Sequence, residues 1–107
     1  MEYRQAEVRA AILKALAHPA RILIVDALSR SDRCVMELSE NLPIVQSNVS
    51  RHLAVLKRAG IVRDYRRGAR VFYRLETPCI LRAFDCAVEV VKQDRKRRLA
   101  EMKGALR

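Results

Sequence analysis

The fold of this chain is decided by residues 45–60, which read Val-Gln-Ser-Asn-Val-Ser-Arg-His-Leu-Ala-Val-Leu-Lys-Arg-Ala-Gly. Val49, Leu53 and Leu56 recur at helical spacing and form a single apolar stripe. The opposite face carries side chains that can bind base edges and phosphates: Gln46, Ser47, Asn48, Ser50 and Arg51. Gly60 supplies a C-terminal stop. The pattern predicts a reading helix over about 46–59, of the kind that the DNA major groove admits.

Apolar periodicity upstream of this segment predicts three further helices, over about 3–17, 19–29 and 35–41. Pro19 fits the first turn of the second helix, because the N–H groups of a first turn have no acceptor within the helix and proline has no N–H. Pro43 then forces a turn into the reading helix.

The hydrophobic period changes after Gly60. Residues 61–75 alternate apolar and polar side chains around Gly68, which predicts a β-hairpin over about 62–75. Its tip is basic, with Arg66, Arg67 and Arg70. A last helix is predicted over about 78–100, apolar in its first half and charged in its second. This order predicts one domain, 1–107, mainly α with a β-hairpin wing: a winged helix-turn-helix. Arginines at the wing tip would reach phosphates or the minor groove beside the reading helix.

Composition narrows the classes of function. A net charge of +10 on 107 residues favours a polyanionic partner, most often nucleic acid, over a merely solvated basic surface. No apolar run approaches about 18 residues and no signal peptide precedes the first helix, so we expect a cytoplasmic protein without a membrane partner. The two histidines lack a recognisable catalytic partner, and the three glycines form no phosphate loop. We therefore do not expect an enzyme.

The chain resembles the ArsR/SmtB family of metal- and metalloid-responsive repressors over nearly its whole length. The stretches that carry the resemblance are Leu16-Ala-His-Pro-Ala-Arg-Ile-Leu23, Val35-Met-Glu-Leu38, Gln46-Ser-Asn-Val-Ser-Arg-His-Leu-Ala-Val-Leu56, Ala59-Gly-Ile-Val62 and Gly68-Ala-Arg-Val-Phe-Tyr-Arg-Leu75. The resemblance implies a homodimer joined through the first and last helices. It also implies a double-stranded operator of two-fold symmetry, bound without effector and released when the effector arrives.

Within the resemblance, Gln46, Ser47, Ser50 and Arg51 fall where such proteins contact DNA. Asn48 is a weaker candidate, because the family usually has a small residue there. Val45 departs from the family's serine cap and cannot accept a hydrogen bond at the helix start. Ser47 or the backbone must then compensate, or the helix begins later.

The two histidines are interpreted separately. His52 is typical of the family, and either touches a phosphate or is a half-buried, satisfied side chain. His18, directly before Pro19, is interpreted as structural.

Two effector sites are common in the family, and both depart from the pattern here. The Cys-x-Cys of the third helix reads Cys34-Val-Met36, with the first thiol alone. The Asp/His/His/Glu set of the last helices falls by position on Thr77, Cys79, Val90 and Gln93. Three of these are not strong metal ligands, so we expect this second site to be lost.

The three cysteines, Cys34, Cys79 and Cys86, are not expected to form a disulfide framework in a reducing cytosol, nor a zinc site, which would need CxxC or Cys/His spacing. Cys34 occupies the N-cap position before 35–41, three residues before Glu37, where a capping-box acid belongs. A helix start favours the thiolate, which suits a metal ligand or a redox thiol. The alternative is a small residue that replaces the usual serine.

Cys79 and Cys86 are seven residues apart on one helix, hence ~10 Å along its axis. They cannot pair or easily bind one ion together. A partner would have to be Cys34 or the last helix of the second subunit. The alternative is that both pack as small hydrophobes at the dimer seam.

The sequence therefore predicts a repressor released by a thiophilic ion, arsenite or a soft divalent metal, bound by Cys34 with Cys79 or Cys86, within or across the dimer. The alternatives are a thiol switch for oxidants or reactive sulfur, a repressor without a small-molecule effector, and a non-specific basic nucleic-acid-binding protein. The basic run 92–103 is interpreted as a solvated, frayed helix end.

Overall fold

The computed structural model describes residues 1–105 and divides into two compact units, Met1–Thr77 and a second that begins at Pro78. The elements in chain order are α1 Tyr3–Leu16, α2 Pro19–Arg30, β1 Arg33–Cys34, α3 Val35–Asn41, α4 Gln46–Arg58, β2 Val62–Arg67, β3 Arg70–Leu75 and α5 Cys79–Ala105. The five predicted helices and the hairpin are confirmed. The bounds of the first four helices and of the hairpin agree with the prediction to within one residue.

Helix boundaries in the first unit follow local chemistry. His18 is the N-cap of α2, and its Nδ1 accepts a hydrogen bond from the Ala20 N–H at 3.1 Å, with Pro19 at the first helical position. The structural interpretation of His18 is therefore confirmed. At the far end of α4, Gly60 adopts a φ of +78°, a left-handed conformation that glycine takes without strain.

The core lies in the first unit, where helices α1 to α4 bury leucine, isoleucine and valine against one another and against the base of the hairpin. Leu53, Leu56 and Val49 of α4 are fully buried. The other large, fully buried side chains are Leu16, Ile24, Val25, Leu38 and Ile61. Apolar burial of this kind is the main stabilising contribution in a small domain.

The wing belongs to a three-stranded antiparallel sheet of order β1-β3-β2. Two residues, Gly68 and Ala69, connect β2 to β3, and Gly68 has a φ of +64°, as the first position of a type II′ hairpin loop requires. The sequence predicted the hairpin but not β1, which pairs Arg33 with Tyr73 and Cys34 with Phe72. A two-residue strand is too short to show an alternating pattern.

The second unit is built on α5, which continues to Ala105 rather than ending near residue 100. The side chains of the basic run 92–103 are solvated, as predicted, and its backbone is helical. Asp94 forms ion pairs with Arg97 and Arg98 across one turn, which stabilises the helix locally. Within the unit α5 has no buried residue, and Val88, Val91, Leu99 and Met102 are all at least half exposed. No helix among residues 1–105 is both long and apolar enough to cross a membrane.

Candidate nucleic-acid interface

Helix α4 separates its side chains as the sequence predicted. Val49, Leu53 and Leu56 have no exposed surface, whereas the five polar residues of the opposite face are exposed: Gln46, Ser47, Asn48, Ser50 and Arg51. The apolar stripe fixes the rotation of the helix about its axis. That rotation turns amide, hydroxyl and guanidinium groups outward on a single surface.

The start of α4 has no side-chain cap. Val45 is the N-cap, and its carbonyl accepts from the N–H groups of Asn48 and Val49, both at 3.0 Å. The helix therefore begins at Gln46 through backbone hydrogen bonds alone, which settles the alternatives left open for Val45. Its first N–H groups are left for solvent or an anion, and the helix dipole adds a partial positive charge there.

His52 is half-buried and held by α2. Arg21 donates its Nε to His52 Nδ1 at 3.2 Å and its Nη1 to the Ala15 carbonyl at 3.1 Å, so one guanidinium joins α1, α2 and α4. Because Nδ1 accepts, the proton of the neutral ring lies on Nε2. Partial burial lowers the pKa of His52, and the charges of His18, Arg21 and Arg51 lower it further.

A concave surface of about 470 Å³ joins the start of α2 to the start of α4. His18, Asn48, Arg51 and His52 contribute to its lining, and the two imidazole rings lie 4.5 Å apart between centroids. Three of the predicted DNA-binding residues therefore share one cavity within the first unit. Its hydrogen-bonding groups suit an anionic or polar ligand surface.

The wing tip (Arg66, Arg67 and Arg70) is exposed, and none of its arginines forms an ion pair with another residue in 1–105. Arg67 and Arg70 are cross-strand partners on either side of the loop, and Arg67 lies 6.0 Å from the Phe72 ring centroid. The tip thus presents unneutralised guanidinium groups, which is what binding to phosphates needs.

Two sets of contacts that the sequence analysis missed hold the base of the wing. Lys57 at the end of α4 forms an ion pair with Asp64 of β2 at 2.9 Å. Their hydrogen bond raises the pKa of Lys57 and lowers the pKa of Asp64. The second set centres on Asp32, which accepts from Tyr65 and Arg74. These partners are distant in sequence and have no motif, so only the folded structure brings them together.

Cys34 is buried and lies at the N-cap of α3, as predicted. Its side chain does not cap the helix; instead its Sγ donates to Glu37 Oε1 at 3.1 Å. That hydrogen bond, with the charges of Arg33 and Arg70, lowers the pKa of Glu37. A pocket of about 180 Å³ beside the sulfur is lined by Cys34, Val35, Met36, Arg70 and Val71.

Cys79 and Cys86 are exposed on α5, so within its own unit neither is packed as a small hydrophobe. Among residues 1–105, no three His, Cys, Asp or Glu side chains are grouped closely enough to hold a metal ion. Ligation by Cys34 with Cys79 or Cys86 stays a prediction.

Residues 18–64 match the family model described as "Bacterial regulatory protein, arsR family". The SmtB transcriptional repressor of Mycobacterium tuberculosis is 52% identical over 64 residues, which are 60% of this chain and 47% of that protein. The chain thus spans about half the length of this relative. The regulator Rv0081 of the same organism is 40% identical over 86 residues, 79% of this chain and 75% of the relative.

Solved structures agree with the sequence comparison. The crystal structure of Rv0081 superposes with a TM-score of 0.74 at 35% identity, covering 92% of this chain and 99% of that one. The solution structure of Mb0332 from Mycobacterium bovis, described as a homodimeric winged helix-turn-helix DNA-binding domain, has a TM-score of 0.72 at 27% identity, covering 91% and 93%. With these relatives and this arrangement of helices and wing, the chain belongs to the ArsR/SmtB family of regulators and has the winged helix-turn-helix fold.

Proposed function

We propose that this chain is a DNA-binding transcriptional repressor that binds a two-fold-symmetric operator as a homodimer and releases it when a thiol-reactive effector acts at Cys34. The observation that carries the proposal is the division of α4 into a fully buried apolar stripe and an exposed hydrogen-bonding face. The basic wing tip belongs to the same compact unit.

The side chains on this surface divide into those that suit base edges and those that suit phosphates. Gln46, Ser47, Asn48 and Ser50 offer the donors and acceptors that discriminate base pairs in the major groove. Arg51 and the wing tip offer cations for phosphates. His52 is already bonded through Nδ1, so its Nε2–H is the group that would donate to a phosphate.

Relatives support the remainder of the proposal. The SmtB relative is named a repressor, and the Mb0332 domain is described as homodimeric. A homodimer presents two reading helices, which matches a palindromic site. Such a repressor would act in the cytoplasm, and no step of its activity is enzymatic.

Two arginines of one helix test sequence-specific binding against non-specific attraction. Arg51→Ala removes a cation from the exposed face near the start of α4, and Arg58→Ala removes one from its last residue. The probe is the duplex that the wild-type chain selects from a randomised pool, measured by fluorescence anisotropy against unselected duplex. We expect Arg51→Ala to weaken binding roughly tenfold and Arg58→Ala to have little effect.

Salt titration supplies the second half of the test. Both kinds of protein lose affinity as salt rises, but a repressor keeps a preference of roughly 10³ or more for its selected site. Equal losses for the two arginine variants, together with no preference among duplexes, would establish the non-specific basic protein instead.

The surroundings of Cys34 support a role in release. The Cys34 thiol donates to the Glu37 carboxylate at 3.1 Å, and its sulfur is the type of ligand that a soft ion prefers, with a further sulfur from Cys79 or Cys86. Cys34 also pairs with Phe72 of the wing strand β3, and the wing-tip residue Arg70 lines the adjacent pocket. A ligand or modification at the sulfur would therefore displace β3 and, with it, the wing tip. This local route would act alongside a change in the spacing of the two reading helices.

The same environment favours a thiol switch as the second candidate. Cys34 is a single buried thiol with an open pocket beside it. Oxidation by a peroxide, or transfer of sulfur from a polysulfide, modifies one sulfur and needs no second ligand.

Release of the selected duplex, measured with arsenite, soft divalent metals and peroxide, separates the candidates. Ion binding requires Cys34 together with Cys79 or Cys86, so Cys79→Ser/Cys86→Ser should abolish it, whereas a single-thiol switch should survive that variant. If Cys34→Ser released DNA under the same treatments as the wild type, both effector proposals would fail while the repressor assignment stood.

A further inference from the structure

We infer that Asp32 is a positioning residue that holds the wing in the orientation in which its tip contacts DNA. The inference rests on the proposed function and concerns how the wing, rather than α4, is fixed to the domain. Asp32 itself lies in the segment between α2 and β1 and contributes nothing to the basic tip.

One carboxylate oxygen bridges the two strands of the wing. Asp32 Oδ2 accepts from Tyr65 Oη at 2.6 Å and from Arg74 Nε at 3.2 Å. Tyr65 belongs to β2 and Arg74 to β3, and the Arg74 guanidinium lies 5.4 Å from the Tyr65 ring centroid. Acceptance of two charge-assisted hydrogen bonds by one carboxylate fixes both strands to the segment between α2 and β1.

The backbone alone gives the wing a narrow attachment. Strand β1 pairs with β3 over two residues, and an isolated two-stranded hairpin is marginally stable in water. The other polar link between the wing and the helices is the ion pair of Lys57 with Asp64, and it is about as exposed as the pair of Arg74 with Asp32: both cations are 53% exposed, and the aspartates are 30% and 25% exposed. The bond from Tyr65 to Asp32 is the part-buried and short contact of the set, so salt and water weaken it least.

The residue that Asp32 binds in β2, Tyr65, lies next to the wing-tip arginines in the sheet. Tyr65 is adjacent to Arg66 in β2, and Tyr65 pairs directly with Phe72, over whose ring Arg67 lies. Rotation of the hairpin about its base would move all three arginines of the wing tip together. Phosphate contacts require them in a fixed place relative to α4.

Because Asp32 is negatively charged, a positional effect on DNA affinity and a general electrostatic effect have opposite signs. Removing a negative charge from a protein that binds a polyanion should by itself tighten binding. Loss of affinity in Asp32→Asn or Asp32→Ala therefore requires a positional cause. Asp26→Asn is the matched control, because Asp26 also pairs with an arginine, Arg30, but that pair lies within α2.

The test measures affinity for the duplex that the wild-type chain selects from a randomised pool, with thermal melting of each variant as a fold control. We expect Asp32→Ala to weaken binding roughly five- to tenfold and to reduce the salt dependence, while Asp26→Asn binds as well as or better than the wild type. Tyr65→Phe removes one donor with minimal change in packing, and is expected to weaken binding in the same direction. It decides the matter if Asp32→Ala does not fold.

A double-mutant cycle with Arg67→Gln provides a readout that general destabilisation would not move. If Asp32 acts through the wing tip, the two losses overlap and the double variant is little worse than the worse single variant. Additive losses, or unchanged or tighter binding in both Asp32→Ala and Tyr65→Phe while Arg67→Gln weakens it, would overturn the inference and leave the repressor proposal standing. If Arg51→Ala and Arg67→Gln also left binding unchanged, the proposed function itself would fail.

Discussion

Helices α4 and α5 are both amphipathic, but they satisfy their apolar faces in different ways. The stripe of α4 is buried within its own unit, with Val49, Leu53 and Leu56 fully covered. Helix α5 has no buried residue, and Val88 and Val91 are about half exposed. An apolar stripe that is buried within the subunit fixes the orientation of its helix in a single chain. An exposed apolar stripe is buried only when another molecule covers it. The first kind fixes a reading surface, and the second kind is what the proposed homodimer would bury.

The largest expected effect breaks α4 from within. Leu53→Ala removes a fully buried side chain, so the free energy of unfolding should fall by about 2–5 kcal/mol. Val88→Ala should cost the isolated subunit far less, because Val88 is 51% exposed there. Urea denaturation of both variants at low protein concentration measures the difference. Equal losses would mean that α5 is covered within the subunit, contrary to the comparison.

Assembly through α5 is the next prediction. Val88 shares a side of the helix with Leu81, Phe84 and Val91, whereas Val90 is two residues away and faces elsewhere. Val88→Asn should raise the dimer dissociation constant roughly tenfold or more by placing a polar side chain in an apolar seam. Val90→Asn is the matched control and should leave the constant unchanged. Analytical ultracentrifugation over a dilution series gives both values, and a larger effect at Val90 would reject this face as the interface.

The same contrast shows which parts the sequence could predict. Helices, hairpin and exposed α4 face follow from residues close together in the chain, since periodicity and a turn glycine act locally. The links from Asp32 to Tyr65 and from Arg21 to His52 span 33 and 31 residues and have no local signature. Strand β1 was missed because its conformation is imposed by β3. The proposed effector site is harder still to predict, since Cys34 and the α5 cysteines belong to separate units.

A smaller effect is expected from adding a side-chain cap at the start of α4. Val45 supplies no side-chain cap, so Val45→Ser should place a hydroxyl where it accepts from an N–H of the first turn. The free energy of unfolding should rise by about 1 kcal/mol, with a higher Tm in thermal melting. Val45→Ala lacks the hydroxyl and should show no such gain. If serine stabilised no more than alanine, the first N–H groups of α4 would already be satisfied in the free protein.

The smallest expected effect concerns pH at His52. The folded protein lowers the pKa of this imidazole, chiefly by partial burial, so the unfolded chain binds the proton more tightly. Its contribution to stability is therefore complete above about pH 6.5, the ordinary value for histidine, and decreases as the pH falls below it. His52→Gln keeps an acceptor for Arg21 but does not titrate, so its Tm should fall less on acidification. A parallel decrease in both proteins would assign the pH dependence to other groups.

Affinity for DNA distinguishes the two interpretations of the same side chain. If His52 Nε2 donates to a phosphate, protonation places a cation beside that phosphate, and the affinity of the wild type should increase across the pH range in which its stability decreases. His52→Gln should then show a flatter pH profile of binding. If His52 only packs against Arg21 and His18, both proteins should bind with the same pH dependence. Opposite trends in stability and affinity would show that one residue of α4 serves both its buried side and its exposed side.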